Sequence, residues 1–303
     1  SVIKVLLMID SIKAYAKINL HLEVLNKRPD GYHNICSVMA KVDIFDLLQL
    51  EQYEVCKPGV VTTSLQCTGG RNASVMDNIP ARENLIAKAV EMYCYHAGIG
   101  LQVAIAIQKN IPSQAGLAGG STDAAATLLL LNNKLKHFNE QELMAIAHRI
   151  GADVPFCLNG NVALCEGIGE IVTPLPPIAL PASIIIVYDE IHCNTKQAYA
   201  DLKRGTHPVA SCKDLILSLW TKGDSQTLLK IFKNDFQNII FNNNPGLVTV
   251  YNTLKRFQPD FIQMTGSGSA IFALFFDAEH AENVCNQIQT QFSQVFFTKL
   301  LMI

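Results

Sequence analysis

The sequence predicts an α+β fold of two domains, and three observations lead to this class. The chain has 303 residues, which at roughly 150 residues per domain suggests about two domains. Segments with strand periodicity and segments with helix periodicity both occur, but they do not alternate strictly along the chain. Four prolines fall within residues 173–182, where they exclude regular helix and central strand. We therefore expect one domain over residues 1–172 and a second over residues 173–303.

Alternating apolar and polar side chains predict the strands of the first half. Residues 13–25 alternate strictly, which indicates a half-buried strand with Lys17 and Asn19 on its polar face. Pro29 and Gly31 then suit a type I turn. Further strands are expected over residues 37–50, 60–68 and 101–107.

Apolar residues at helical spacing predict the first helices, over residues 82–97 and from Ser121 to about residue 131. Asn139 and Glu142 have the spacing of a capping box, so a helix is expected from there to about Gly151. The second half is expected to contain, in order, a strand over 183–188, a helix over 195–203, several helices between 211 and 257, strands over 261–264 and 270–276, a helix over 278–291 and a strand over 294–301.

The composition excludes several classes of protein. With 49% hydrophobic and 17% charged residues, the chain is not disordered. None of its apolar stretches approaches the roughly 18 to 20 residues that span a bilayer. The net charge is −2 without a basic cluster, and the nine scattered cysteines form no C-x-x-C pair. We expect a cytoplasmic protein with free thiols that binds neither nucleic acid nor membrane.

A glycine-rich loop lies between the strand at 101–107 and the helix at Ser121. Glycines let backbone N–H groups turn toward a ligand, and a helix N-terminus adds partial positive charge. The loop lacks the Gly-Lys-Ser/Thr end of a P-loop, and the segment 266–268 lacks the third glycine of a dinucleotide fingerprint. The residues alone leave open a phosphate-binding loop and a glycine-rich turn capped by Ser121.

Asp153 stands between a helix end and Pro155. An Asp in this position is commonly a turn former or a helix cap. It could also accept or orient a hydroxyl proton in phosphoryl transfer, with a cation such as Lys17 stabilising the developing phosphate charge. The pattern of residues leaves both interpretations open.

Five segments, in chain order, resemble the GHMP kinase superfamily, which is named for galactokinase, homoserine, mevalonate and phosphomevalonate kinases. They are residues 16–20, 28–33, 112–123, 151–156 and 264–269. The resemblance covers about residues 13–300 and implies a two-domain GHMP kinase fold with the active site in the cleft between the domains. It implies ATP as phosphoryl donor and Mg²⁺ with it, although the sequence does not identify the metal ligands. The second and fourth segments resemble the branch that phosphorylates the 2-hydroxyl of 4-diphosphocytidyl-2-C-methyl-D-erythritol, in the methylerythritol phosphate route to isoprenoids.

This resemblance also assigns roles to residues. The family's catalytic pair corresponds to Lys17 and Asp153, with the Asp as the base toward the substrate hydroxyl. The family's loop wraps the ATP phosphates. In this chain the loop consists of Pro112, Ser113, Gln114, Ala115, Gly116, Leu117, Ala118, Gly119, Gly120, Ser121 and Thr122.

The substrate-binding residues implied by the resemblance lie outside the loop. Tyr32 would stack on the cytosine and His33 would hydrogen-bond to it, while Tyr188 suits the other face of the ring. Asn19 would lie near the methylerythritol end, and Thr195 near the substrate. The protein is expected to act on this small molecule as a monomer or weak homodimer.

Two other functions remain open. A mevalonate-type or sugar kinase would share the fold, but it has no evident use for Tyr32 and His33. A non-catalytic ligand sensor would not need both Lys17 and Asp153. Elsewhere, the segment 266–268 is interpreted as a tight loop that packs beneath the phosphate loop.

The histidines without a surrounding motif are His21, His148 and His192. They are interpreted as surface residues or as partly buried residues with satisfied hydrogen bonds.

Overall fold

The computed structural model describes residues 10–78, 80 and 83–301. The strands are β1 (Asp10–Lys27), β2 (His33–Cys56), β3 (Val61–Gly69), β4 (Gly100–Gln108), β5 (Val162–Glu166), β6 (Ile171–Pro174), β7 (Ser183–Tyr188), β8 (Phe261–Met264), β9 (Ile271–Phe275) and β10 (Gln294–Lys299). The helices are α1 (Leu85–Ala97), α2 (Gly119–Leu135), α3 (Glu140–Ile150), α4 (Val154–Asn159), α5 (Thr195–Asp201), α6 (Lys213–Thr221), α7 (Ser225–Ile231), α8 (Gln237–Asn243), α9 (Pro245–Lys255) and α10 (Ala278–Ile288). The expected helix start at residue 82 lies outside the described residues.

The chain packs as two compact units that interleave along the sequence. Unit 1 takes the chain up to Ala16 together with Ile44–Ser113 and Gly119–Asn159, and unit 2 takes Lys17–Asp43, Gln114–Ala118 and the chain from Gly160 onward. The units group residues by contact, whereas the expected boundary after residue 172 divides the chain by sequence. That boundary stays a prediction.

Unit 1 combines three strand segments with a group of helices. Strand β3 pairs parallel with β4, and β4 pairs antiparallel with the second half of β2. Helix α1 packs against α2 and α3, and α4 packs against α2. The predicted capping box of α3 is confirmed, because the Asn139 side chain accepts from the Glu142 N–H while the Glu142 carboxylate accepts from the Asn139 N–H.

Unit 2 contains a four-stranded antiparallel sheet in the order β10-β7-β9-β8. Helix α10 packs against β7, β9 and β10, and α9 packs against β8 and β9. Between them lies a core of aliphatic and aromatic side chains, among them Ile185, Val187, Ile271, Phe275 and Val284. Strand β5 pairs with residues 37–40 of β2 and with β6.

The strand prediction for residues 183–188 is confirmed residue for residue. Pro245 occupies the first turn of α9, as expected from its fixed φ angle. Helix α4 and strands β5 and β6 were not predicted. Strand β6 ends at Pro174 and lies at the edge of its sheet. Proline has no N–H to donate, and an edge strand tolerates this because one of its sides needs no ladder hydrogen bonds.

The expectation that β1 is half-buried is wrong. Its polar residues Lys17, Asn19, His21 and Glu23 are each at most 4% exposed. Alternation reports which side chains are polar, but here polar groups of other segments cover that face. For the same reason His21, expected at the surface or partly buried, is fully buried.

Within the described ranges, none of the helices combines the length and apolar character needed to cross a lipid bilayer. All nine cysteines are free thiols, and five of them are buried.

Candidate active site

In unit 2, the buried polar face of β1 meets the middle of the glycine-rich loop. The Lys17 ammonium donates to the Gly116 carbonyl at 2.8 Å and to Asn19 Oδ1 at 2.7 Å. The Lys17 backbone N–H donates to the Leu117 carbonyl at 3.1 Å. The positive charge of Lys17 is therefore fixed at the centre of the loop.

Asn19 is held by a network of its own. Its side-chain amide donates to Ser37 Oγ at 2.9 Å, and its backbone N–H donates to Thr265 Oγ1 at 3.0 Å. The Thr265 hydroxyl also lies 3.3 Å from the Gly116 carbonyl. These bonds orient the side-chain carbonyl of Asn19 toward the Lys17 ammonium. The contact of Asn19 with substrate stays a prediction.

The loop packs closely against the segment after β8. Gly116 has a φ of 77°, and a Cβ added to it would lie 2.2 Å from the Thr265 carbonyl oxygen. A Cβ on Gly266 would lie 3.2 Å from the Gly116 Cα, and the Ala270 N–H donates to the Ala115 carbonyl at 3.1 Å. The interpretation of the segment 266–268 as a support for the loop is confirmed.

The last part of the loop, in unit 1, is the N-terminus of α2. The first four N–H groups of a helix have no intrahelical acceptor, and the helix dipole makes them attractive to anions. Gly119 and Gly120 leave these amides without side chains beside them, so they fit a phosphate chain. Thr122 is buried and its hydroxyl donates to the Tyr15 carbonyl at 2.7 Å. The Thr122 hydroxyl proton is therefore already used and is not available to a phosphate.

A buried ionic cluster beside the loop escaped the sequence analysis. The Lys109 ammonium donates to Asp46 and, at 2.7 Å, to Asp123, and all three residues are at most 3% exposed. The Lys109 ammonium nitrogen would lie 3.1 Å from a Cβ added to Gly119. Asp46 Oδ1 accepts from the Ile111 N–H at 2.9 Å. The cluster ties the chain before the loop to the helix after it. In the sequence, the signal for this cluster was Lys109, a lysine directly after the alternating apolar strand β4.

The charges of this cluster are strongly perturbed. Burial raises the pKa of Asp123 to about 8, against the attraction of Lys109. Burial opposes the charge of Lys109, but the two carboxylates outweigh it and raise the pKa of the ammonium. Lys109 therefore keeps its charge, whereas burial favours the neutral form of Asp123.

Asp153 lies in unit 1 and directly precedes α4, where it is half-buried. Its carbonyl accepts from the Cys157 N–H at 3.0 Å, which begins the helix. Lys17 belongs to unit 2. The action of Lys17 and Asp153 as a catalytic pair stays a prediction.

The residues expected at the cytosine follow the predicted turn. The Gly31 N–H donates to the Arg28 carbonyl at 3.1 Å, which confirms the turn. Tyr32 is 61% exposed, so its side chain is accessible from solvent. His33 stacks on Tyr199 with the ring centroids 5.2 Å apart and an interplanar angle of 20°.

Tyr188 and Thr195 have different settings. Tyr188 ends β7 opposite Gln294 and is only 5% exposed. Thr195 begins α5, and its hydroxyl lies 2.7 Å from the Ser267 hydroxyl, so the structure brings it to the segment 266–268. The substrate contacts of both residues stay predictions.

One group of side chains has the composition of a metal site. His21, Glu23 and Cys36 are buried and bring their ligand atoms within 4.8 Å of one another. However, the Lys233 N–H donates to His21 Nδ1 at 3.3 Å, so the ring proton is on Nε2, which lies 3.5 Å from the Glu23 carboxylate. A protonated nitrogen cannot ligate a metal. Burial would raise the pKa of Glu23, but hydrogen bonds from His21, the Cys212 backbone and other donors hold it well below its usual range, so the group stabilises structure.

Gly116→Ala is expected to destabilise the protein more than Gly59→Ala does. Both glycines have positive φ angles, but a Cβ on Gly59 would meet nothing within 4 Å. The left-handed conformation alone costs about 1–2 kcal/mol, and overpacking against the Thr265 carbonyl adds about 1–3 kcal/mol. Urea unfolding of both variants measures the difference. Equal losses of stability would show that the loop yields to the added methyl group.

Two family profiles match the chain. "GHMP kinases N terminal domain" matches residues 84–161, and "GHMP kinases C terminal" matches residues 216–294. Together they cover more than half of the chain and define its class, a GHMP kinase with both characteristic domains in the usual order.

Individual relatives are similar over nearly the whole length. A 4-diphosphocytidyl-2-C-methyl-D-erythritol kinase of Clostridium kluyveri is 36% identical over 95% of this chain and 99% of its own. One of Caldicellulosiruptor bescii is 36% identical over 95% of this chain and 96% of its own. The chain belongs to the family of 4-diphosphocytidyl-2-C-methyl-D-erythritol kinases.

Solved structures agree with this assignment. A crystal structure of 4-(cytidine 5'-diphospho)-2C-methyl-D-erythritol kinase has a TM-score of 0.73 and 28% identity, covering 96% of this chain and 99% of its own. A homoserine kinase from Cytophaga hutchinsonii has a TM-score of 0.68 at 18% identity, over 96% of this chain and 95% of its own, and shares the fold. The predicted fold class, an α+β GHMP kinase fold, is confirmed.

Proposed function

We propose that this protein transfers the γ-phosphoryl group of ATP to the 2-hydroxyl of 4-diphosphocytidyl-2-C-methyl-D-erythritol, a step in isoprenoid precursor biosynthesis. The observation that carries the proposal is the Lys17 ammonium bound to the Gly116 carbonyl of the phosphate loop. The proposal is also supported by relatives that bear the name of this kinase and are similar to this chain over nearly their whole length.

The reaction forms a bond between the substrate oxygen and the γ-phosphorus and breaks the bond from that phosphorus to the β–γ bridging oxygen. The amides of the loop and of the α2 N-terminus bind the phosphate oxygens, and Lys17 stabilises the charge on the transferring group. Asp153 orients the 2-hydroxyl and takes up its proton as the new bond forms, and ADP leaves. A loose transition state asks little of the base, so positioning and charge dominate.

Mg²⁺ is expected with ATP, where it would neutralise the β- and γ-phosphate oxygens. In this scheme the chain, with a net charge of −2 and no block of five basic residues in its sequence, binds two anionic molecules. Backbone amides, the dipole of α2 and the charge of Lys17 hold their phosphate groups.

A cytoplasmic location is supported by the nine free thiols, which suit a reducing compartment. The absence of a basic cluster supports the expectation that nucleic acid is not a partner. The expected state, a monomer or weak homodimer, can be measured by sedimentation.

ADP release in the presence of Mg²⁺ tests the proposal. The purified protein is offered ATP with 4-diphosphocytidyl-2-C-methyl-D-erythritol, mevalonate or homoserine in separate reactions. We expect turnover with the cytidine compound alone. Turnover of mevalonate or homoserine without turnover of the cytidine compound would contradict the proposal, and ligand binding without any turnover would favour a sensor.

A further inference from the structure

The buried side chain of Asn234, between α7 and α8, binds the backbone of the segment after β8. Its amide nitrogen donates to the Met264 carbonyl at 2.7 Å and to the Gly266 carbonyl at 2.8 Å. Its Oδ1 accepts from the Phe236 N–H at 2.9 Å. An asparagine amide has two N–H donors, and here both are used on carbonyls while the oxygen meets a donor. The three partners therefore fix the orientation of the amide.

The two carbonyls stand on either side of Thr265, which contacts the phosphate loop. The Thr265 hydroxyl accepts from the Asn19 N–H at 3.0 Å and lies 3.3 Å from the Gly116 carbonyl. The Gly116 carbonyl in turn accepts from the Lys17 ammonium at 2.8 Å. Asn234 thus holds the backbone on both sides of a residue that supports the partner of Lys17.

The backbone around Asn234 is itself fixed to β1. The Leu22 N–H donates to the Lys233 carbonyl at 2.7 Å, and the Asp235 N–H donates to the Leu22 carbonyl at 3.0 Å. Leu22 and Asn234 are thereby paired in a parallel bridge. The contacts close a ring that runs from β1 through Asn234 and the segment after β8 back to β1. Because both ends of this ring lie on one strand, it resists displacement of the segment relative to that strand.

Water cannot readily replace the Asn234 amide. Asn234 is 8% exposed, and Met264, Thr265 and Gly266 are all buried. A side chain without donors in place of Asn234 would leave two buried carbonyls without their partner, which is costly in free energy. The segment would then have to shift toward water, and Thr265 would move with it.

We propose that Asn234 is a positioning residue for phosphoryl transfer, which holds Thr265 against the phosphate loop and so keeps the Lys17 ammonium at the Gly116 carbonyl. The inference rests on the proposed function, in which Lys17 stabilises the charge on the transferring group. Asn234 acts through these residues and touches neither ATP nor the acceptor in this scheme. Its loss is expected to lower kcat more than ATP binding, because a displaced charge no longer meets the transition state.

The position of Lys17 can be measured without turnover. Acetylation by N-hydroxysuccinimidyl acetate, followed by mass spectrometry, gives a rate for each lysine. Lys17 is 4% exposed and is expected to react slowly in the unmodified protein. Asn234→Asp keeps the shape of the side chain but removes both donors, and we expect Lys17 to be acetylated at least about tenfold faster in this variant. An unchanged rate at Lys17 would overturn the proposal.

Lys109 serves as the internal reference for this measurement. It is 3% exposed and belongs to unit 1, so its acetylation reports a general loosening of the fold. We expect its rate to stay unchanged in Asn234→Asp. Rates that rise equally at Lys109 and Lys17 would show a loss of stability alone and would overturn the proposal.

Asn132→Asp is the matched control. The Asn132 amide donates to the Phe138 carbonyl at 2.8 Å, and its oxygen accepts from the Phe138 N–H at 3.0 Å. It therefore binds backbone groups in the same manner, but in unit 1. This variant is expected to lose thermal stability while the acetylation of Lys17 stays as in the unmodified protein. An equal acceleration in both variants would contradict the specific role of Asn234.

Steady-state kinetics test the consequence for catalysis. In Asn234→Asp we expect kcat with the cytidine substrate to fall about 10²-fold, while KM for ATP changes little. Combination with Lys17→Met gives a double-mutant cycle. Because Asn234 acts through Lys17, Asn234→Asp is expected to lower kcat hardly further once Lys17 is replaced. Losses that simply multiply would show that Asn234 does not act through Lys17 and would contradict the proposal.

A third measurement uses the unmodified protein. Hydrogen exchange followed by NMR gives the exchange rates of assigned asparagine side-chain amides. Both amide protons of Asn234 are expected to exchange more slowly than those of Asn133, which is exposed. Equally fast exchange would overturn the proposal even if Asn234→Asp does not fold.

These outcomes separate the inference from the proposed function. The acetylation and exchange measurements require no turnover. If Lys17 becomes reactive in Asn234→Asp but the unmodified protein does not phosphorylate the cytidine compound, the proposed function fails and the positioning of Lys17 by Asn234 stands. Turnover as proposed, with kcat and the acetylation of Lys17 unchanged in Asn234→Asp, would contradict the inference alone.

Discussion

Asp153→Asn is expected to lower kcat by about 10²- to 10⁴-fold while the cytidine substrate still binds. The amide has the shape of the carboxylate, so the start of α4 is preserved, but it cannot take up the proton of the substrate hydroxyl. Steady-state kinetics give kcat, and calorimetry with the substrate and a non-hydrolysable ATP analogue gives the affinity.

Asp277→Asn is the matched control for this variant. The Asp277 side chain caps α10 by accepting from the His280 N–H, and Asn caps a helix as well as Asp does. We expect neither kcat nor stability to change in the control. An unchanged kcat in Asp153→Asn would remove Asp153 from the mechanism.

Lys109→Met is expected to have the largest effect on stability. It leaves Asp46 and Asp123 buried without their shared cation, and breaking a buried ion pair in this way costs about 3–5 kcal/mol. Because the cluster ties the start of the loop to α2, we also expect KM for ATP to rise. The free energy of unfolding in urea, and KM for ATP in any folded fraction, measure the two effects.

Lys213→Met makes the same substitution in an exposed pair. The Lys213 ammonium donates to both oxygens of Glu166 at 2.8 and 2.9 Å, but the two side chains are 38% and 28% exposed. Surface pairs contribute at most about 1 kcal/mol. If Lys109→Met costs no more than Lys213→Met, the buried cluster does not hold the loop in place.

The sequence was sufficient for elements whose determinants are local. A short apolar run after the proline cluster predicted β7 with its observed bounds, and the Asn139–Glu142 spacing predicted the start of α3, because both depend on neighbours within a few residues. The short helix α4 was missed, since six residues are too few to establish a periodicity.

The environment of the site could not be predicted in the same way. The Lys17 ammonium and the Gly116 carbonyl are 99 residues apart in sequence, and the Asn19 N–H and the Thr265 hydroxyl are 246 apart. Periodicity treats a polar residue on a strand as solvent-facing, and it contains nothing about a distant loop that covers the strand. The loop and the Lys17–Asn19 pair were found through their motifs, whereas the Lys109 cluster and Tyr199 depend on contacts visible only in the fold.

The central claim is the transfer of a phosphoryl group from ATP to one hydroxyl of one substrate. It is tested most directly by phosphorus-31 NMR of the product formed from 4-diphosphocytidyl-2-C-methyl-D-erythritol, ATP and Mg²⁺. We expect a new phosphomonoester on the 2-hydroxyl, formed in equal amount with ADP, while the diphosphate bridge of the substrate stays intact. A phosphoryl group on another hydroxyl, or ADP release without a phosphorylated cytidine compound, would contradict the account.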